Sequence, residues 1–126
     1  KYNDEDGMKE LTAEDDAAHV ELGEGWRMPT PAEMQELKER CKWEWVTVNG
    51  VPGYKVSGNG NSIFLPAAGS QYVDKFTSQE TQGCYLSSTL YSEDCGLAVC
   101  LGFTQKHRYM INSERCDGHT IRPVKE

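Results

Sequence analysis

Five cysteines and three histidines are the residues of this chain best equipped for chemistry. Cys84, Cys95, Cys100 and Cys116 crowd into the last third, with Cys41 far ahead of them. The successive spacings are 43, 11, 5 and 16 residues. Structural zinc sites are built on short knuckles such as C-x2-C, so these spacings do not predict zinc. An odd number of cysteines leaves at least one thiol free or paired to another chain, which argues against a closed disulfide framework. A nucleophilic cysteine needs a base within hydrogen-bond reach, and His107 and His119 are the histidines that could flank one in space. Nothing in their spacing brings them together. G-x-S-x-G, H-E-x-x-H and P-loop patterns are absent. Asn3-Asp4-Glu5-Asp6-Gly7 has the composition of a calcium loop. With Gly7 at loop position 6, however, Tyr2 falls at position 1 and Ala13 at position 12, and neither is a ligand. The expectation is therefore no catalytic residue, no metal and no cofactor, with small buried cysteines as the plainest alternative.

The elements that would position these residues follow from local pattern. Thr12 and Asp15 have capping-box form, and residues 14–22 can run helical until Gly23. In GWRMPTPAEMQELKERC, Thr30 is the predicted N-cap, Pro31 the first helical residue and Glu33 the closing capping-box residue. Met34, Leu37 and Cys41 at i, i+3 and i+7 make one apolar stripe. Beyond residue 41 the chain reads as strands. WEWVTV and GYKVS flank a turn at Asn49-Gly50, and Gly58-Asn59-Gly60-Asn61 leads into SIFLPAAG, which Pro66 ends. Residues 70–83 read as a polar loop. YLSSTL, LAVCLGF and HRYMIN are three short strands, and HTIRPV closes the chain. In LAVCLGF, alternation sets Leu97, Val99, Leu101 and Phe103 on a core face and Ala98, Cys100 and Gly102 on the other. Cys100 should point away from the main core unless a bulge shifts the register. Trp26 is expected to pack under the helix, Trp43 and Trp45 to share a strand face, and Ser87-Ser88-Thr89 to serve as hydrogen-bonding framework.

At 126 residues with a quarter of them charged, the chain is the size and composition of one soluble domain. Residues 1–45 hold 13 acids against 6 bases, and residues 46–126 hold 7 of each, so the net charge of -7 lies in the first part. An acidic surface of this kind argues against a nucleic-acid partner. No apolar run reaches the roughly 20 residues of a membrane helix, so membrane insertion is not expected. Lys1 is not an initiator Met, which suits a mature or trimmed product.

GWRMPTPAEMQEL, GYKVSGNGNSIFLPAAG, YLSSTLYS and GHTIRPV, in that order, resemble the Fibrobacter succinogenes major paralogous domain of Bacteroidetes surface proteins. The resemblance covers nearly the whole chain. It implies an α+β, C-type lectin-like fold over residues 1–126, with two helices packed on short, mostly antiparallel strands. This fold is shared with formylglycine-generating enzymes. Family members usually carry a further N-terminal section with an early strand, and first and last strands of the fold commonly pair. HTIRPV is therefore expected either to pair with a missing or separate N-terminal segment or to be covered by another part of the chain.

Some members of this fold are variable proteins of diversity-generating retroelements, in which adenine-bearing codons such as AAC become NNC. Ala98, Leu101, Phe103, Met110, Arg115, Gly118 and Arg122-Pro123-Val124 match the framework. Asp94, Cys95, Gly96, Cys100, Gly102, His107, Arg108, Tyr109, Ile111, Asn112, Cys116, Asp117 and His119 stand between them, and each is a residue an NNC codon can encode. Glu93, Gln105, Lys106 and Glu114 are not, and count as framework. The resemblance thus implies a ligand-binding domain, exposed at a cell or phage surface, whose variable region spans residues 91–119. Tyr91 and Tyr109 are its expected hot spots, and its partner a macromolecule, a surface protein or a glycan. The glycan-ligating triplets of calcium-dependent lectins are absent, so sugar binding does not follow from the fold. Two other readings of the same residues are a fixed structural or adhesive surface domain, and an enzyme of the formylglycine-generating branch. The second has little support, because the motif around that branch's cysteine pair is not found here.

Overall fold

The strongest local signals sit in the second helix, and the computed structural model reproduces them. It describes residues 2–3, 5–72, 75–77 and 80–126, of which 70–72 and 75–77 by backbone alone. A 3-10 turn at Ala13–Asp15 precedes α1 (Ala17–Leu22), β1 (Trp26–Arg27) and α2 (Pro31–Arg40). There follow β2 (Lys42–Val48), β3 (Val51–Gly58), β4 (Asn61–Pro66), β5 (Ser70–Tyr72), β6 (Lys75–Thr77), β7 (Gln82–Tyr91), β8 (Asp94–Thr104), β9 (Arg108–Glu114) and β10 (Val124–Lys125). This is an α+β arrangement with antiparallel strand pairs.

Thr30 caps α2 as its sequence predicts. Its hydroxyl accepts from the Glu33 amide at 3.2 Å, and the Glu33 carboxylate accepts the Thr30 amide at 2.9 Å. Glu33 also takes two hydrogen bonds from Arg27, at 2.6 and 2.9 Å. That pairing holds the Glu33 carboxyl at about 2, well below the usual carboxylate range. At the other end Trp43 Nε1 donates to the Leu37 carbonyl at 3.0 Å, satisfying one acceptor of the last turn. The cap of α1 differs from expectation. Thr12 makes no side-chain cap. Asp16 does so instead, accepting from the amides of Ala18 and His19. Its carboxylate also accepts the Met28 amide, at 2.9 Å to one oxygen, so one buried side chain fastens α1 to the segment leading into α2.

Strands β2, β3 and β4 form a meander through two Asn-Gly turns. Asn49 and Gly50 have φ of 51° and 81°, and Asn59 and Gly60 have 51° and 80°. Both turns need positive φ at two successive residues, which Asn-Gly supplies at low cost. Strands β7, β8 and β9 form a second meander, and β5 pairs with β6 where a polar loop was expected. Residues 73, 74, 78 and 79 of that expected loop lie outside the described residues.

The core lies between these two meanders and α2. Met34, Tyr54, Val56, Leu65, Ala67, Tyr85, Leu101 and Phe103 are buried together, with Leu37, Cys41, Trp43 and Trp45 packed against them. Phe103 is the hub. Its ring centre is 5.2 Å from that of Tyr54, 5.9 Å from Tyr85 and 6.1 Å from Trp43. Gly83 makes room for it, since a Cβ there would lie 2.2 Å from the ring. Trp43 and Trp45 do share a face. Trp26 does not enter this core; its ring lies under the Lys125 ammonium, 6.0 Å away.

HTIRPV finds its neighbours within the chain. Val124 and Lys125 pair with Arg27 and Trp26, and Thr120 bridges Tyr85. The outer edge of β7 is covered twice. Leu90 donates to the Lys9 carbonyl at 2.7 Å and Leu11 to the Ser88 carbonyl at 2.9 Å, while Leu86 and Cys84 bond Thr120. The opposite edge, β9, pairs only with β8 among the described residues.

Candidate recognition surface and thiol cluster

The second meander, with the segment that follows β9, carries every position expected to vary. Its register fixes where each goes. Cys100 opposes Leu86 and Ile111, and Gly102 opposes Cys84 and Tyr109. In an antiparallel pair, opposed residues share a face. Cys84, Cys100, Gly102, Tyr109 and Ile111 therefore lie on one face, as alternation predicts. Arg108, opposite Phe103, and Asn112, opposite Val99, lie on the other. Arg108 stacks over the core aromatics, its guanidinium carbon 5.3 Å from the Trp43 ring centre. The expected variable residues do not share one open surface, because a strand sends neighbours to opposite sides.

Two of them are not surface residues at all. Cys100 is 0% exposed, and Gly102 is buried. Alternation places Cys100 away from the main core correctly, but not in the open. A second cluster closes over that part of the face. Tyr2, Leu90 and Ala98 are buried there, with Met8, Leu11, Leu86 and Cys95 packed around them. The Tyr109 ring covers Gly102, where a Cβ would lie 2.6 Å from Tyr109 Cε2. Cys100 and Gly102 are thus corrected from ligand contacts to framework.

The remaining positions divide between the two ends of the meander. His107 and Arg108 sit at the β8–β9 turn, where both are exposed. Tyr91, Asp94, Cys95 and Gly96 sit at the β7–β8 turn, and Cys116 and Asp117 follow β9 back to that same end. Arg115 joins the two segments. Its amide donates to the Gly96 carbonyl at 3.0 Å, and its guanidinium donates to the carbonyls of Cys95 and Tyr2 at 2.9 and 3.1 Å. Ile111, 42% exposed, and Asn112, also exposed, lie on opposite faces of β9. A strand of eleven residues spans about 30 Å, so the two ends do not act as one small contact. Below the patch the β7 chain bulges at residues 87–89. Ser87 donates to the Val99 carbonyl at 2.6 Å, Ser88 to Glu10 at 3.2 Å, and Thr89 to Glu10 as well. The Ser-Ser-Thr run is framework, as expected.

His119 leaves the patch and reaches across the second face. The Thr120 amide donates to the Cys84 carbonyl at 3.1 Å, which fixes the backbone after His119 against β7 at Cys84. Ser113 Oγ is 2.9 Å from His119 Nε2. His119 Nδ1 is buried without a conventional hydrogen-bond partner among the described residues. The ring interacts with Cys84, and so does the thiol of Cys100. The Cys84 thiol is lowered to about 5 by its neighbours Cys100 and then His119, against burial and the Asp117 charge, which raise it; the Cys100 thiol itself donates to the Ala98 carbonyl at 3.4 Å. Cys100 is pushed up, first by the Cys84 sulfur and then by burial. His119 is raised by the same Cys84 partner. Sequence spacing gave no sign of this cluster. Cys84 and His119 are brought together by a parallel bridge between distant segments, and Cys84 was not among the expected site residues. None of the five cysteines is in a disulfide. Among the described residues, no group of three or more His, Cys, Asp or Glu is placed to hold a metal ion.

Elsewhere an apolar cavity of about 230 Å³ lies beneath α2, lined by Met34, Leu37, Leu65, Leu101 and Val124, with Arg122 and Glu33 also on its wall. In Asn3–Gly7, Asn3 Oδ1 accepts the amides of Glu5 and Asp6, and Asp6 Oδ1 accepts that of Met8. These are local turn bonds, each between residues two or three apart. No helix of the described residues is long and apolar enough to cross a membrane.

Protein-family models, curated proteins and solved structures were all compared with the chain, and none matches it.

Proposed function

We propose that this chain is a ligand-binding domain exposed at a cell or phage surface, acting by recognition and without catalysis. Its contact surface is the Tyr91–Gly96 turn together with residues 116–117. The carrying observation is the joining of those two segments by Arg115, over a framework buried immediately behind them. A surface held this way loses little conformational entropy on binding. Tyr91 is its best anchor, large and with few rotatable bonds, its hydroxyl donating to Glu93 at 2.9 Å. The partner is a macromolecule, a surface protein or a glycan. We read the scaffold as a C-type lectin-like variant, on the four sequence blocks together with the pairing of β10 to β1.

The same reading makes the exposed positions of residues 91–119 the diversified ones, and removes Cys100 and Gly102 from that set on grounds of packing. Sequencing the coding locus from many independent isolates tests it. The expected result is variation confined to the exposed positions, in codons ending in C or T, with a near-copy template and a reverse transcriptase nearby. Invariant sequences and no template would reject diversification and favour the fixed adhesive domain.

A further inference from the structure

We propose that the open edge of β9 pairs, antiparallel, with the β9 edge of a second copy of this chain. The pairing joins two three-stranded β7–β8–β9 sheets into one continuous sheet about a two-fold axis.

The phase of the β8–β9 ladder is fixed at both ends. The Thr104 amide donates to the His107 carbonyl at 2.8 Å, and the Arg115 amide to the Gly96 carbonyl at 3.0 Å. Between them the register runs from Leu97 opposite Glu114 to Phe103 opposite Arg108 without a shift. Hydrogen-bonded pairs alternate with non-bonded pairs along such a ladder. The odd-numbered residues of β9 therefore bond inward to β8. Arg108, Met110, Asn112 and Glu114 turn their N–H and C=O groups outward. Among the described residues, the Glu114 carbonyl alone of these groups has a partner, the Asp117 amide at 3.3 Å. The other edge of the same sheet, β7, is covered from within the chain by residues 9–11 and Thr120. Edge strands left to solvent are ordinarily guarded by Lys, Pro, a bulge or shortness. β9 is seven residues long, with no Lys, no Pro and no bulge, and Ile111 at its centre is 42% exposed.

The sequence RYMINSE selects one register against itself. With Ile111 on the two-fold axis, Met110 faces Asn112 and Arg108 faces Glu114, each twice, and the strands overlap over their full length. The outward-bonding residues then meet one another as hydrogen-bonded pairs. Both charges of β9 meet their opposites. Arg108 stacks on Trp43, its guanidinium carbon 5.3 Å from the ring centre, which leaves the N–H groups at the guanidinium edge for a carboxylate. The two Ile111 residues form a non-hydrogen-bonded pair, the kind in which side chains are closest, and cover each other. Moving the axis to Met110 or Asn112 undoes the Arg108–Glu114 pairing and shortens the ladder. Because the strands run antiparallel, the His107–Arg108 turn of each copy comes beside the Glu114–Asp117 segment of the other. The two ends of the meander, about 30 Å apart within one chain, meet across the dimer.

Sedimentation equilibrium of the whole chain from about 1 µM to 1 mM tests this, since a single edge pairing makes a small and weak interface. Reducing conditions keep the exposed Cys116 from linking two copies. The expected result is a reversible equilibrium that stops at the dimer. Asn112→Pro removes an outward N–H and no bond to β8, so it should abolish the dimer while thermal melts show the fold retained. Glu114→Arg sets like charges opposite each other in both places and should weaken the dimer about tenfold; adding Arg108→Glu should restore it. A monomer at about 1 mM overturns the proposal. Assembly that continues beyond two copies, or a dimer unchanged by Asn112→Pro, overturns β9 as the interface. Where Asn112→Pro does not fold, the charge exchange decides: a dimer indifferent to Glu114→Arg, or not restored by the double variant, overturns the pairing.

Discussion

Gly102→Ala is the perturbation that best separates framework from display on the second face of the β7–β8–β9 meander. The new methyl would stand 2.6 Å from Tyr109 Cε2 and 3.2 Å from Cδ2 and Cζ. Carbon atoms in good contact are about 3.5–4.0 Å apart, so the ring must retreat by about 1 Å. Overpacking of this kind costs about 1–3 kcal/mol. Replacing glycine within a strand returns about 0.5–1 kcal/mol of backbone entropy. Tyr109 lies half-buried on an edge strand and can move, so the net loss should be about 1–2 kcal/mol. In a Tyr109→Ala background there is no ring to displace. There the same Gly102→Ala change should be neutral, or stabilising by about 0.5–1 kcal/mol. Urea unfolding of the four proteins at equal m-value gives the coupling, expected at about 1–3 kcal/mol. A Gly102→Ala effect equal in both backgrounds, within about 0.5 kcal/mol, would refute the packing argument.

Three further predictions follow from the framework. Gly83→Ala sets a methyl 2.2 Å from Phe103 Cζ in a site with 0% exposure at Phe103, so the melt should show a loss of about 3 kcal/mol or no folded protein at all. Asp16→Ala leaves the amides of Ala18, His19 and Met28 without their acceptor and should cost about 2–4 kcal/mol in denaturant unfolding, whereas Thr12→Ala, which removes no helix cap, should cost less. Glu33 has a folded pKa below its unfolded value, so the stability it contributes is present above about pH 4.5 and is lost as pH falls through about 2. Its side chain is 41% exposed, and screening holds the contribution to about 1 kcal/mol or less; Glu33→Gln should flatten the acid limb of the stability curve by that amount.

What could be read from the sequence was local. The cap of α2, its Pro31 start and its apolar stripe depend on residues within one or two turns, and all three stand as read. The Asn-Gly turns likewise carry their backbone demand in two adjacent residues. Asp16 escaped because part of what it satisfies, the Met28 amide, comes from a segment twelve residues away. Alternation assigned Cys100 to the correct face of β8. It carried no information about what covers that face, which is Tyr2, Met8 and Leu11 together with the residues after β9. Cys84 and His119 stand 35 positions apart and meet only through the bridge at Thr120. Such non-local pairing leaves no mark in residue spacing. The same holds for β10, whose partner β1 is a two-residue strand with no strand signal of its own.

The division between a fixed frame and a permissive end patch is tested most directly by a randomised library sorted for resistance to proteolysis. Positions 94, 96, 116 and 117 are varied in one pool, and positions 100 and 102 in another. The structure predicts that most members of the first pool survive at the parent's level while the second collapses to Cys, Ala or Ser at 100 and Gly at 102. Equal intolerance in the two pools would contradict it.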